Sequence, residues 1–292
     1  MKAAPFDYVR AGSLAEACEL LRQRGGDGKL IAGGQSLVPM MAMRLARPHC
    51  LIDINEIPAL KFVAIEADVA RTGACTRQCV AERDDALAAR VPLLRQALAW
   101  VGHAQTRNRG TVGGSLAHAD PAAELPLAAQ VLGATFVLRS TAGARAVSAA
   151  KFFTGPLATA ASPDECLEEV RWPVWSERRT GSAFIEVSRR HGDFAIVAAA
   201  AQVALDGDGR CARASFGLGG GGSTPRAFPD LAKRLVGTRL EEGAVKSAAI
   251  ESAAGVDFYG DLHASAAYRR HLAVVLASRA LRAAHERARS AP

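Results

Sequence analysis

The apolar positions of this 292-residue chain fall in short runs whose period switches between that of a helix and that of a strand. Residues 13–24, SLAEACELLRQR, place Leu14, Ala17, Cys18 and Leu21 at helical spacing. Ser13 is a fitting N-cap, Glu16 completes a capping box, and Gly25-Gly26 stop the helix. Lys29–Ala32 and Leu51–Ile54 read as short apolar strands, so a small α/β unit opens the chain. Residues 60–73 alternate as a hairpin-like strand pair, and residues 76–102 are helical in pattern with an interruption around Pro92. A helix over 125–133 precedes a strand at Ala134–Leu138. Phe152–Gly155 reads as a turn region, and Cys166–Trp172 as a strand closed by Pro173.

The segment Trp172–Thr180, with Pro173 and the charged run Glu177-Arg178-Arg179, is the expected domain boundary. Beyond it, Ser182–Ser188, Ala195–Leu205 and Cys211–Leu218 read as strands. The turn Asp206-Gly207-Asp208-Gly209 joins the last two as a hairpin. Residues 227–254 and 264–290 are helical. The second half therefore reads as an antiparallel sheet backed by helices. There are no internal repeats and no low-complexity tracts.

Composition narrows the functional classes. Hydrophobic residues make up 49% and charged residues 22%, ample for a packed core in two domains of ordinary size. The net charge of +7 is spread along the chain except for Arg279, Arg282, Arg287 and Arg289 near the C-terminus, and no nucleic-acid motif accompanies it. A solvated basic face or an acidic partner subunit accounts for it; nucleic acid does not. Six irregularly spaced cysteines include a CxxxC, Cys75 and Cys79, with no second pair nearby, so they read as reduced structural thiols rather than cluster or zinc ligands. The start, MKAAPFDYVRAG, lacks an apolar h-region, and no run of 18 apolar residues exists, so no transmembrane segment and a cytoplasmic protein are expected.

Two glycine turns carry the candidate chemistry. Ala32-Gly33-Gly34-Gln35-Ser36 follows a strand, and its adjacent glycines let backbone N–H groups converge on an anion. Thr111-Val112-Gly113-Gly114-Ser115 repeats the recipe, with Arg107 and Arg109 upstream to carry positive charge toward it. Either turn alone is also what an ordinary strand-to-helix connection looks like. Together they can clamp one pyrophosphate from two sides. Neither is a Rossmann GxGxxG. The nearest literal match, Gly217–Gly222, runs into Ser223-Thr224-Pro225 and reads as a flexible loop near a cofactor or partner.

Three long segments, in order, resemble the FAD-binding medium subunit of the molybdenum hydroxylases, the module of aerobic carbon monoxide dehydrogenase and of the centre of xanthine dehydrogenase. They are AGGQSLVPMMAMRLARPHCLIDI (32–54), HAQTRNRGTVGGSLAHADPAAELP (103–126) and RRHGDFAIVAAAAQV (189–203). The opening FDYVRAGSLAEACELL is similar to the family's start, with Ala11 for the usual proline, and Thr106 stands where the family more often has isoleucine or valine. The resemblance covers essentially the whole chain. It implies an α+β protein: a two-subdomain FAD-binding domain of the vanillyl-alcohol-oxidase type over 1–176 (about 1–56 and 57–176), then a small antiparallel-sheet-plus-helices C-terminal domain over 177–292.

It further implies non-covalent FAD. Ala32, Gly33, Gly34, Gln35 and Ser36 with Thr111, Gly113, Gly114 and Ser115 would hold the pyrophosphate. Glu124 would reach the ribityl or ring region, and Leu167 would pack on the cofactor. Arg190 and Asp193 fit an interface role or a flavin contact equally. His118 beside Asp120 reads as a loop shaping the pocket, with proton transfer as its alternative. No catalytic nucleophile and no metal ligand is expected here. Molybdenum cofactor and iron–sulfur clusters are expected on a large molybdopterin subunit and a small iron–sulfur subunit, in a dimer of heterotrimers that serves an external electron acceptor. The rival reading is a stand-alone FAD-dependent oxidase or dehydrogenase with its own small substrate.

Overall fold

A computed structural model describes residues 2–291. Its first layer is a three-stranded parallel sheet, in which Cys50–Asp53 lies between Asp7–Arg10 and Gly28–Ile31. All four residues of the central strand are buried, which is why Cys50–Ile52 shows no polar alternation before Asp53. The helix Leu14–Arg24 covers this sheet with Ala17, Cys18 and Leu21, and its Ser13 cap is as expected, the hydroxyl accepting the Glu16 N–H; the Glu16 carboxylate reaches past the cap residue and accepts the Gly12 N–H at 2.8 Å. The strand Asp7–Arg10 has too little apolar alternation to be read from sequence. Parallel pairing to a buried neighbour makes it a strand.

The second layer is a five-stranded antiparallel sheet in the order Val63–Ile65, Val69–Gly73, Cys166–Pro173, Thr135–Ser140, Gly143–Ser148. Its central strand bulges between Leu167 and Glu169, which re-aims Leu167. The predicted helical run 76–102 is three short helices, Gln78–Arg83, Asp85–Arg90 and Pro92–Leu98. Pro92 opens the third because the first turn of a helix does not need its missing N–H. Two expectations change here. Phe152–Gly155 is the end of the helix Ala149–Phe152 and a strand, Phe153–Gly155, paired with Ala158–Thr159. Gly113-Gly114 is the first turn of a helix, Val112–His118, capped by Thr111 and preceded by Ala104–Arg109.

The third layer is a four-stranded antiparallel sheet, Arg179–Val187, Val197–Leu205, Cys211–Gly219 and Arg226–Ala227. All nine residues of Val197–Leu205 are buried. Its odd-numbered residues pack on the helix Ala266–Ser290 and its neighbours, and Ala198 and Ala200 face the first domain. Helix Glu242–Ala254 is separate from Pro229–Leu235, so the predicted run 227–254 breaks in the middle. Arg269, buried at 3%, ties this domain together by donating to the carbonyls of Ile196 and Gly220 and to Asp261 at 2.6 Å. The glycines 217–222 are buried, not flexible: a Cβ on Gly221 would strike the Phe258 ring, and one on Gly217 would come within 2.6 Å of the Arg226 carbonyl.

Gly181 shows how closely sheet and helix approach. A Cβ there would meet the Ala284 carbonyl and sit 2.8 Å from the Arg287 carbonyl carbon. Gly181→Val is expected to force them apart and to cost about 1–3 kcal/mol, read as a fall of about 3–10 °C in thermal melting.

Candidate functional site

One cavity of about 810 Å³ lies between the layers. Its lining includes all eleven residues singled out above: Ala32, Gly33, Gly34, Gln35 and Ser36; Thr111, Gly113, Gly114 and Ser115; and Glu124 and Leu167. The volume is within the ordinary range for a large cofactor, about 300–1,000 Å³.

The first glycine loop is an open row of donors. Among the described residues, the N–H groups of Gly33, Gly34, Gln35, Ser36 and Leu37 find no acceptor in the protein. Gly34 has φ +71°, the turn that lets successive N–H groups converge. Ser36 caps the short helix Leu37–Ala42 without a side-chain bond, so its hydroxyl is also free. The Gln35 amide instead folds back on the Gly33 carbonyl at 3.3 Å.

The second loop behaves differently from the expectation of a matching nest. Its backbone donors are spent: Val112 N–H goes to the Thr76 carbonyl and Gly113 N–H to the Ala74 carbonyl, each at 2.9 Å, and Gly114 N–H to the Thr111 hydroxyl oxygen at 3.0 Å. Gly113 is needed because a Cβ would lie 2.6 Å from Ala74 Cα. This loop supplies a close floor and the hydroxyls of Thr111 and Ser115, not a row of N–H groups. Nor do its arginines point in. Arg107 is committed to Glu82 at 2.7 Å and to the Val101 carbonyl at 3.0 Å. The cation that lines the cavity is Lys29.

The two loops touch. A Cβ on Gly33 would collide with the Arg109 carbonyl and stand 2.8 Å from Gly110 Cα. A hydrogen-bond chain fixes this approach. The Asn55 amide donates to the Ala32 carbonyl at 2.6 Å, Arg77 donates to the Asn55 side-chain oxygen at 2.8 Å, and Arg77 also donates to the Arg109 carbonyl. Asn55 and Arg77 were not legible as site residues, since no glycine or titratable pattern marks them. Gln78, buried at 4%, also lines the cavity with its carbonyl oxygen unpaired.

Glu124 opens the helix Glu124–Leu132 and is buried at 4%. Burial, with Asp120 nearby, pushes its carboxyl up to about 7. His118 lines the cavity too. Burial pulls its imidazole below the ordinary value against the opposing charge of Asp120, and Asp120 itself accepts the Ala122 N–H at 2.9 Å. From the third motif, Gly192 and Phe194 reach the cavity, whereas Arg190 and Asp193 form the turn beneath them, Asp193 N–H donating to the Arg190 carbonyl at 3.1 Å. Gly192 rests on the ring of His103, and His191 stacks between Trp100 and His103 at 5.8 and 6.2 Å. All six cysteines are free thiols.

A sheet-flanked cavity with an open row of N–H donors and a buried acid defines a site for a dinucleotide-sized anion. The family model "FAD binding domain in molybdopterin dehydrogenase" matches residues 4–175, and "CO dehydrogenase flavoprotein C-terminal domain" matches 182–284. The chain is 39% identical to the 6-hydroxypseudooxynicotine dehydrogenase complex subunit alpha of Paenarthrobacter nicotinovorans, over 99% of this chain and 97% of that one. It is 36% identical to the carbon monoxide dehydrogenase medium chain of Afipia carboxidovorans, over 98% of each. The solved carbon monoxide dehydrogenase of Hydrogenophaga pseudoflava contains a chain that superposes with a TM-score of 0.95 at 35% identity, covering 98% of this chain and 99% of that one. The chain belongs to the family of FAD-binding medium subunits of the molybdenum hydroxylases. It is an oxidoreductase subunit whose cofactor is FAD, and it works within a multi-subunit enzyme.

The residues fit that cofactor. The free donors of the first loop suit a pyrophosphate, and the unpaired Gln78 oxygen and the Glu124 carboxyl suit hydroxyl or ring N–H donors. Asn55→Ala removes the link between the loops and is expected to weaken FAD binding by about tenfold, the equivalent of one part-buried hydrogen bond. Gly33→Val is expected to strip the cofactor from the purified chain while far-ultraviolet circular dichroism stays native. Retention of FAD by Gly33→Val would remove this loop from the site.

Proposed function

We propose that this chain is an electron relay. Electrons reach its FAD from iron–sulfur clusters on a small partner subunit, after a large molybdopterin subunit has oxidised the substrate. They leave to an external acceptor such as NAD, a quinone or oxygen. FAD supplies the exchange between one-electron and two-electron carriers that such a relay requires. The chain's own residues bind and orient. Gly33–Ser36 hold the pyrophosphate by backbone donors, Thr111 and Ser115 add hydroxyls, and Gly113 and Gly114, packed on Ala74 and Thr111, form the floor beneath it. Glu124 takes the ribityl or ring region, and Leu167, turned by the bulge, packs on the cofactor.

The observation that carries the reading is the rim of the cavity. Two apolar side chains that line it, Phe194 and Leu157, are 60% and 50% exposed. An apolar, accessible edge suits a docked partner that must bring a redox centre close, and it offers little to hold a free polar substrate.

The chain divides, in this reading, into the FAD-binding domain 1–176, with subdomains of about 1–56 and 57–176, and the C-terminal domain 177–292. The extents of the two matched families and the separation of the three sheets support that division. The assembly is a dimer of heterotrimers in the cytoplasm. Among the described residues no helix is long and apolar enough to cross a membrane.

The test is reconstitution. The chain purified alone should be yellow, release free FAD on denaturation, and keep its flavin oxidised when small substrates are added. With both partners present, substrate should bleach the flavin. Bleaching of the isolated chain by a small substrate would instead establish a stand-alone dehydrogenase.

A further inference from the structure

Asn55 presents its two ends to different partners. Its side-chain nitrogen donates to the Ala32 carbonyl at 2.6 Å, and its side-chain oxygen accepts from Arg77 at 2.8 Å. The two ends of an amide are nearly equal in size and shape, so packing does not decide which faces which way; hydrogen bonds do. Some neighbour must keep the nitrogen toward Ala32.

That neighbour is Asp53. It ends the central strand Cys50–Asp53, lies between Arg10 and Ile31 in the register, and is 8% exposed. One carboxylate oxygen accepts twice from Asn55, from its backbone N–H at 2.8 Å and from its side-chain nitrogen at 2.7 Å. The other accepts from the Tyr8 hydroxyl on the adjacent strand, which fixes the rotation of the carboxyl group. Burial works against the ion, but the donors of Tyr8 and Asn55 outweigh it and hold the carboxyl below its ordinary value. An ionised carboxylate only accepts, so it admits only the nitrogen end of Asn55. Reversed, the amide would set its oxygen against two other acceptors, the Asp53 carboxylate and the Ala32 carbonyl.

The consequence reaches the donor row. In a trans peptide the carbonyl and the following N–H point in opposite directions. With the Ala32 carbonyl turned to Asn55, the Gly33 N–H is turned to the other side, and among the described residues no acceptor meets it. Gly33 is also the residue packed against Arg109 and Gly110. The Asn55 oxygen meanwhile holds Arg77, which reaches the Arg109 carbonyl. One amide orientation thus sets both loops.

We propose that Asp53 is a positioning residue for the FAD site. It does not line the cavity. It acts by fixing the side chain of Asn55, and through it the peptide between Ala32 and Gly33 and the guanidinium of Arg77. This rests on the reading that the first glycine loop holds the FAD pyrophosphate.

The test is a double-variant cycle on the full chain, read as the FAD dissociation constant from flavin-fluorescence titration of the FAD-free protein. Asp53→Ala should weaken binding by about tenfold, as Asn55→Ala does. A residue that acts only through Asn55 has nothing left to hold once Asn55 is gone. The double variant should therefore stay within about threefold of Asn55→Ala. Asp53→Asn keeps an oxygen toward Asn55 and can donate to the Tyr8 hydroxyl oxygen, so it should return to within about threefold of wild type. A double variant weakened by about a hundredfold, the product of the two singles, means that Asp53 acts independently of Asn55 and overturns the proposal. Wild-type affinity in Asp53→Ala overturns it too, as does an Asp53→Asn protein as weak as Asp53→Ala. If Gly33→Val keeps its FAD, the loop is not the site and both readings fall. If Gly33→Val loses FAD while Asp53→Ala binds it normally, only the role of Asp53 falls. Should Asp53→Ala not fold, Asp53→Ser takes its place in the cycle under the same criteria, its hydroxyl one bond short of the carboxylate oxygen it replaces.

Discussion

The site depends on one close approach: the backbone of Gly33 against that of Arg109 and Gly110. It brings together a loop that leaves the first sheet and a turn that joins two helices, and it leaves no room for a side chain on Gly33. Neither loop could keep this position alone. The first is held from behind by Asn55, which reads the Ala32 carbonyl, and the second by Arg77, which reads the Arg109 carbonyl; the two side chains then bond to each other. The hydrogen bonds are modest individually, but they fix a geometry rather than add stability. With the loops so fixed, the donor row of residues 33–37 faces a cavity whose floor is already saturated. An anion meets donors from one side and a smooth close-packed wall from the other.

Much of this was legible in the chain. The capped helix Leu14–Arg24, the strands on either side of the first glycine loop, the hairpin at 60–73 and the three long strands after residue 178 all follow from periodicity and turn residues. What sequence could not distinguish was the state of the second loop. Gly113-Gly114 looks like Gly33-Gly34, yet Thr111 caps a helix there and segment 74–76 consumes the backbone donors. The difference lies in a tertiary neighbour, not in local composition. The same holds for Arg107, whose charge seemed aimed at the loop and is instead neutralised by Glu82, 25 positions away. It holds again for Gly217–Gly222, where a flexible-looking glycine run is pressed under Phe258. Glycine marks both mobility and crowding, and only the neighbours say which.

The abundance of alanine also acquires a reason. The strand Val197–Leu205 is sandwiched between a long helix and the first domain, with five of its nine residues alanine. Small side chains on both faces let three layers approach closely, which is how the C-terminal domain brings Gly192 and Phe194 over a cavity built by the other. The cost of so tight a sandwich is that any polar group caught inside it, such as Glu186 or Gln202, has nowhere to turn for a partner.

Arg269 gives the last helix a reach beyond its own domain. Its guanidinium grips the carbonyls of Ile196 and Gly220, the first of them two residues from Phe194 at the rim of the cavity. The final 25-residue helix is thus the anchor of the roof. A frameshift or a proteolytic nick near residue 265 would leave every residue of the glycine loops in place and still release Ile196 and the roof beside it, so integrity of the tail is a condition for keeping a flavin held by loops in the first half of the chain.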